Sequence, residues 1–300
     1  MRDRLVVLAG VVLFASLVLV EAARPQQSGA AKDQKAAAPV VLVDGWGRPV
    51  KSPVGKTSAP APRHDISGIW EPARGPGDGI QANGVKDMPY DGKPEHDPPY
   101  TPLGLETLKS HKALFGYAAV LESLNNDPRG KCDPLGFPRA DFYQLRHTQI
   151  IQNERQVVVL YEFEKRWRTI WTDGRELPKE IPQPRWYGYS VGKWADDTTF
   201  VVQTVGTMGD ERAWLDETGR PVSDAMRVEE QFHRVDHDHL ELTVTLDDPK
   251  MYTRPWVAMK KFPLKWQSPD YDVTEMICSP IEMERYNKEY GDAASGVESK

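Results

Sequence analysis

The sequence predicts a mainly β protein, an antiparallel meander closing into a barrel of about eight to ten strands with a few short helices. Three observations carry the prediction. Short runs of period-two alternation recur from Ile69 to Cys278. Clusters of turn residues separate them at hairpin spacing. Helical patterning is confined to two segments, after Thr101 and after Ser279.

In chain order, a short strand is expected at Ile69 and Trp70. Thr101 and Pro102 read as the N-cap and first-turn proline of a helix over 103–114. Residues 144–152 and 156–163 form a hairpin through Asn153-Glu154-Arg155, and a strand over 166–172 ends at Asp173-Gly174. Residues 190–194 and 199–205 pair through Ala195-Asp196-Asp197. The clearest hairpin joins 226–234 to 234–246. Leu240, Leu242, Val244 and Leu246 share one face, and Glu241, Thr243 and Thr245 share the other. Strands over 256–264 and 273–278 complete the count. Ser279-Pro280-Ile281-Glu282 then has capping-box spacing ahead of a terminal helix reaching Tyr290. The Pro-rich loops 94–102 and 178–184 are longer than simple connections, and such loops often line the mouth of a site.

Residues 1–4 carry net positive charge, an apolar run follows to Val20, and small residues precede a cleavage point before Ala23. This is the layout of a signal peptide over 1–22 and predicts a periplasmic or secreted protein. The apolar run falls short of the ~20 residues a spanning helix needs, so no stable membrane insertion is expected after cleavage. A polar leader over 23–63, one β-barrel-like domain over 64–290 and a flexible tail over 291–300 complete the organisation. The net charge of −6, with no long basic run or aromatic-basic stripe, argues against a nucleic-acid partner. In an oxidising compartment, Cys132 and Cys278 are by default a disulfide; two free thiols are the alternative.

Gly188-Tyr189-Ser190-Val191-Gly192 matches the G-x-S-x-G nucleophile elbow. An elbow needs a strand before the serine and a helix after it, whereas a strand-turn-strand pattern follows here. His233, His237 and His239 lie beside Asp236 and Asp238 on a tight turn whose side chains diverge into solvent, so no metal site is expected. Nothing in the chain implies a cofactor.

Charges on apolar faces are more informative. Glu230 shares a face with Met226, Val228 and Phe232, Glu162 with Val158 and Leu160, and Arg168 with Ile170. Buried unpaired ions cost several kcal/mol, so carboxylate and guanidinium should pair or meet a polar ligand. The alternatives are a structural ion pair or a register that turns the charges outward. Trp167, Trp171, Trp186, Trp194, Trp214, Trp256 and Trp266 serve either as core and barrel-end plugs or as the walls of an aromatic cavity.

Gly68-Ile69-Trp70 resembles the G-x-W signature that opens lipocalins and related calycin barrels. Longer blocks are similar to those of a family of exported, largely uncharacterised bacterial proteins of acidobacteria and proteobacteria. They include Asp65-Ile66-Ser67-Gly68-Ile69-Trp70, Cys132-Asp133-Pro134-Leu135-Gly136-Phe137-Pro138-Arg139, Ser223-Asp224-Ala225-Met226 and Tyr252-Thr253-Arg254-Pro255-Trp256. The resemblance covers most of the chain from Asp65 to Cys278. It implies an exported β-rich domain with a Cys132–Cys278 bridge and brings no activity with it. Val222 departs from the histidine that relatives commonly place before the Ser-Asp pair.

Three functional readings result. The first is an exported barrel that binds a small, partly apolar molecule in its interior, lined or gated by Arg139, Glu162, Arg168, Trp186 and Glu230. The second is a hydrolase or isomerase of a small molecule with Glu230, Asp216 or Asp224 as general base, since desolvation raises a carboxylate toward the value such a base needs. The third is a ligand-free interaction module of the cell envelope.

Overall fold

The computed structural model describes residues 48–49, 58–73, 89–142 and 147–294. The signal-peptide assignment over 1–22, most of the leader over 23–63 and the end of the tail lie outside the described residues.

Nine strands close into one barrel in sequence order. They are β1 (Gly68–Pro72), β2 (Thr148–Gln152), β3 (Gln156–Tyr161), β4 (Arg166–Trp171), β5 (Tyr189–Trp194), β6 (Thr199–Val205), β7 (Arg227–Arg234), β8 (His239–Asp247) and β9 (Trp256–Trp266). β1 pairs with both β2 and β9, so the sheet has no free edge. The expected hairpins form, but the meander is not antiparallel throughout. Residues 172–188 carry the chain from one end of the barrel back to the other, and β5 therefore runs parallel to β4. The strand expected over 273–278 is also absent. That segment touches the sheet through a single bridge, Phe163 with Met276, because closure by β9 leaves no edge for a tenth strand.

Alternation decides what fills the barrel. On β8, Leu240, Leu242, Val244 and Leu246 are buried, and on β7, Val228, Glu230, Phe232 and Arg234 oppose them. Ile150, Val157, Val159, Ile170, Phe200 and Val202 extend the same contiguous core. Each large apolar side chain buried in this way contributes about 1.5–3 kcal/mol. The barrel interior is thus occupied by the chain's own side chains, with the Arg168–Glu230 pair and the neighbouring Asp141 forming a polar island among them.

The two ends are closed differently. Where β7 and β9 finish, Trp70 is fully buried, donates its indole N–H to the Ile66 carbonyl at 3.1 Å and lies under the Arg234 guanidinium. Arg234 in turn donates to the carbonyls of Asp65, Ser67, Asp236 and His237. At the opposite end lies α2 (Arg139–Phe142), where the Tyr161 hydroxyl donates to Asp141 at 2.7 Å. α1 (Pro102–Ser110) starts as expected, with the Gly104 N–H donating to Thr101 Oγ1 at 2.9 Å, but stops at His111, whose backbone is extended. α3 (Pro280–Tyr286) is capped by Ser279. Cys132 and Cys278 are joined in a disulfide. Among the described residues, no helix is long and apolar enough to cross a membrane.

Candidate functional site

The parallel seam is the weak place in the wall. β4 and β5 are in register only at Ile170–Ser190 and Trp171–Val191, whereas β6 and β7 pair from Thr199–His233 to Val205–Arg227. Before Ile170, β4 has no partner on the β5 side, and the sheet splays there. The gap is a cleft of about 570 Å³, lined along β4 by Trp167, Arg168, Thr169 and Trp171 and on its other side by residues 185–191. Arg175, Glu176, Leu177 and Pro178 of the crossover complete the rim.

The serine-elbow match lies in this wall and has a packing origin. Ser190 is buried within β5, with its Oγ hydrogen-bonded to Thr204 Oγ1 at 2.8 Å. Gly188 has a left-handed φ of +61°, and a side chain there would meet the Val205 carbonyl. At Gly192 a Cβ would collide with the Phe200 ring and with Ile170. Both glycines are therefore required by the close packing of β5 against its neighbours rather than by a nucleophile.

Arg168 lies in the wall behind the cleft and is 2% exposed, its side chain turned into the barrel. Its two terminal nitrogens donate to the Glu230 carboxylate at 2.8 and 2.7 Å, and its guanidinium lies 4.0 Å from the centre of the Phe137 ring. Burial pulls the Arg168 guanidinium down, and the Glu230 carboxylate more than offsets this and holds it above its ordinary value. Full burial and the Asp141 carboxylate push Glu230 up from the ordinary carboxylate value, while Arg168 pulls it down. Two atoms of this island, Arg168 Nε and Asp141 Oδ2, are buried without a hydrogen-bond partner.

The structure separates the five residues expected to line one interior cavity. Arg168 and Trp186 line the cleft, and Glu230 stands behind Arg168. Arg139 belongs to the cap: its guanidinium pairs with Asp127 at 3.0 and 2.7 Å and lies 3.3 Å from Glu217. Glu162 is held in another cluster, at the start of the β2–β3 hairpin. It accepts from the backbone N–H and Nδ1 of His147, both at 2.8 Å, and from the Thr274 hydroxyl. His147 Nε2 lies 3.2 Å from Glu71, which also pairs with Lys265 at 2.8 Å, and the Tyr271 ring packs on the imidazole. Despite burial, the His147 hydrogen bonds pull Glu162 down to about 2, and the two carboxylates raise His147.

The two aspartates considered as bases lie away from the cleft. Asp216 is buried and organises a turn, accepting from the Thr218 N–H and hydroxyl with Arg220 3.4 Å away. Asp224 is exposed and paired with Lys250. The histidine cluster is divided between local partners: His237 with Asp238, His239 with Asp236 and His233 with Thr199.

Sequence reasoning did not single out Arg175, Arg185, Tyr187 or Tyr189, all of which line the cleft. The signal available was the long Pro-rich loop over 178–184, which belongs to the crossover. Arg175 stacks on Trp171 at 3.6 Å and pairs bidentately with Asp173 at 2.8 and 2.6 Å. Arg185 stacks on Tyr189 at 4.1 Å. Fold and site together define a nine-stranded mixed β-barrel with an aromatic, arginine-bearing cleft in its wall. Comparison with protein-family models, curated proteins and solved structures finds no match.

Proposed function

We propose that this is an exported protein that binds a small, partly apolar molecule, and that the molecule sits in the β4–β5 cleft rather than on the barrel axis. The axis is taken up by aliphatic and aromatic side chains. The cleft has the volume of a small-molecule site, commonly about 300–1,000 Å³. The observation that carries the reading is the set of flat aromatic and guanidinium surfaces gathered on the cleft, the exposed Trp167 ring and the Arg175–Trp171 and Arg185–Tyr189 stacks. Export is supported by the N-terminal segment and by the Cys132–Cys278 bridge, which suits an oxidising compartment.

Protein purified from the periplasm of its own host, extracted under denaturing conditions and analysed by mass spectrometry, should release a stoichiometric small molecule. A Trp167→Ala variant should release less of it. Recovery unchanged by Trp167→Ala would place the ligand outside the cleft, and an empty protein would return weight to a ligand-free envelope module. The enzyme reading retains Glu230 as its base, because burial raises that carboxyl, but Glu230 reaches the cleft only through Arg168. Turnover of the recovered compound that is abolished by Glu230→Gln would favour it.

A further inference from the structure

We propose that the ligand of the cleft is an aromatic acid, a flat ring system carrying a carboxylate, and not a sugar or a neutral apolar molecule. This rests on the binding role proposed above and names its chemical class. The cleft is rich in donors and poor in acceptors. Two guanidiniums line it, Arg175 and Arg185, and an arginine side chain has no acceptor atom. Against them stands one lining carboxylate, Glu176. The Ser190 hydroxyl is engaged with Thr204, and the Tyr189 hydroxyl donates to the Gln183 carbonyl at 3.0 Å, which leaves the Thr169 and Tyr187 hydroxyls, along with Glu176, as lining side-chain acceptors. A saccharide needs acceptors for its many hydroxyl protons, and few are offered. A carboxylate only accepts and matches the set.

Charge bookkeeping singles out one arginine. Glu230 neutralises Arg168, and Asp173 neutralises Arg175. Arg185 is exposed, lies over the Tyr189 ring and, among the described residues, has no carboxylate partner. It is the cation left for an incoming anion. The walls supply the ring recognition. Trp167 is 65% exposed, and the Arg175–Trp171 and Arg185–Tyr189 stacks present flat guanidinium and indole or phenol surfaces on which another ring can lie.

The test is calorimetric titration of the full exported protein with three probes: naphthoate, its neutral amide naphthamide, and maltotriose. Naphthoate is expected to bind about tenfold or more tightly than naphthamide, with the advantage shrinking as salt rises. Arg185→Gln should abolish the preference for the acid, so that naphthoate and naphthamide bind equally. Trp167→Ala should weaken both. Both side chains are exposed, so neither change removes core packing, and circular dichroism would verify the fold. Equal affinity for acid and amide, or binding of maltotriose alone, would overturn the aromatic-acid class while leaving a small-molecule cleft in place. Acid binding untouched by both substitutions would overturn the cleft as well. No binding of naphthoate would refute the proposal outright.

Discussion

Arg168 on β4 and Glu230 on β7 meet bidentately inside the barrel although two strands, β5 and β6, separate them in the sheet. The pair therefore bridges the interior rather than a rung of the ladder. Its stability is asymmetric: two ions taken from water gain little net, but removing one strands the other. Glu230→Ala should destabilise the protein by about 3–5 kcal/mol in urea denaturation. The volume-matched double replacement, Arg168→Met with Glu230→Leu, should recover most of that loss. A double variant no more stable than Glu230→Ala would show that the pair is not the unit being broken.

Gly192 makes a second prediction about the same wall. It faces Phe200 and Ile170 so closely that a methyl group has no room. Gly192→Ala should cost about 1–3 kcal/mol through overpacking and should shift the Trp194 region most. Thermal unfolding followed by tryptophan fluorescence reads the cost. An unchanged midpoint would mean that the β4–β5 seam yields easily, contrary to the close packing of Phe200.

His147 predicts the pH response of the segment that follows β9. It lies between Glu162 and Glu71, with Lys265, Tyr271 and Thr274 facing the same cluster. Its raised value means that its stabilisation is complete below the ordinary histidine value of 6.5 and is lost as pH rises through the folded value. Glu162, lowered from 4.5 to about 2, contributes the opposite limb: its stabilisation is present above 4.5 and is lost as pH falls toward 2. The cluster should therefore hold the segment best between those limits. Hydrogen exchange over residues 268–278 should speed up from pH 6 to pH 9 relative to the pH trend of β8. In His147→Gln that excess acceleration should vanish. An equal excess in the variant would locate the titration elsewhere.

What could be read from the sequence follows the range of the interactions involved. β7 and β8 were legible because a two-sided environment imposes period-two alternation on adjacent residues, and the same alternation placed Glu230 and Arg168 on buried faces. Ser279 and Thr101 were legible as caps because an N-cap and its N–H partner lie three residues apart. The partner of each buried charge was not legible. Arg168–Glu230 depends on a register accumulated across four strands, and Arg139–Asp127 depends on the path of an irregular insertion. The cleft was hidden for the same reason. It arises from a parallel pairing created by the 172–188 crossover, and the turn at Asp173-Gly174 looks locally like any hairpin. Residues 273–278 carry an alternating pattern, but a strand also needs an edge, and the closing of β1 on β9 removed it.

The disulfide makes the last prediction. Cys132 and Cys278 are separated by 146 residues, and the loop they close contains β2 through β9. The bridge restrains the unfolded chain of almost the whole barrel, and not only the segment attached to Cys278. The chain-entropy relation puts the effect at about 4–5 kcal/mol before any strain is subtracted. Cys132→Ser with Cys278→Ser should therefore lower the urea midpoint equally whether unfolding is followed through the core tryptophan Trp70 or through a label on α3. The native circular dichroism spectrum should be retained, because the nine-strand closure does not pass through either cysteine. If the α3 label alone shifts, the bridge acts only as a local tether, and the barrel holds its stability from packing without it.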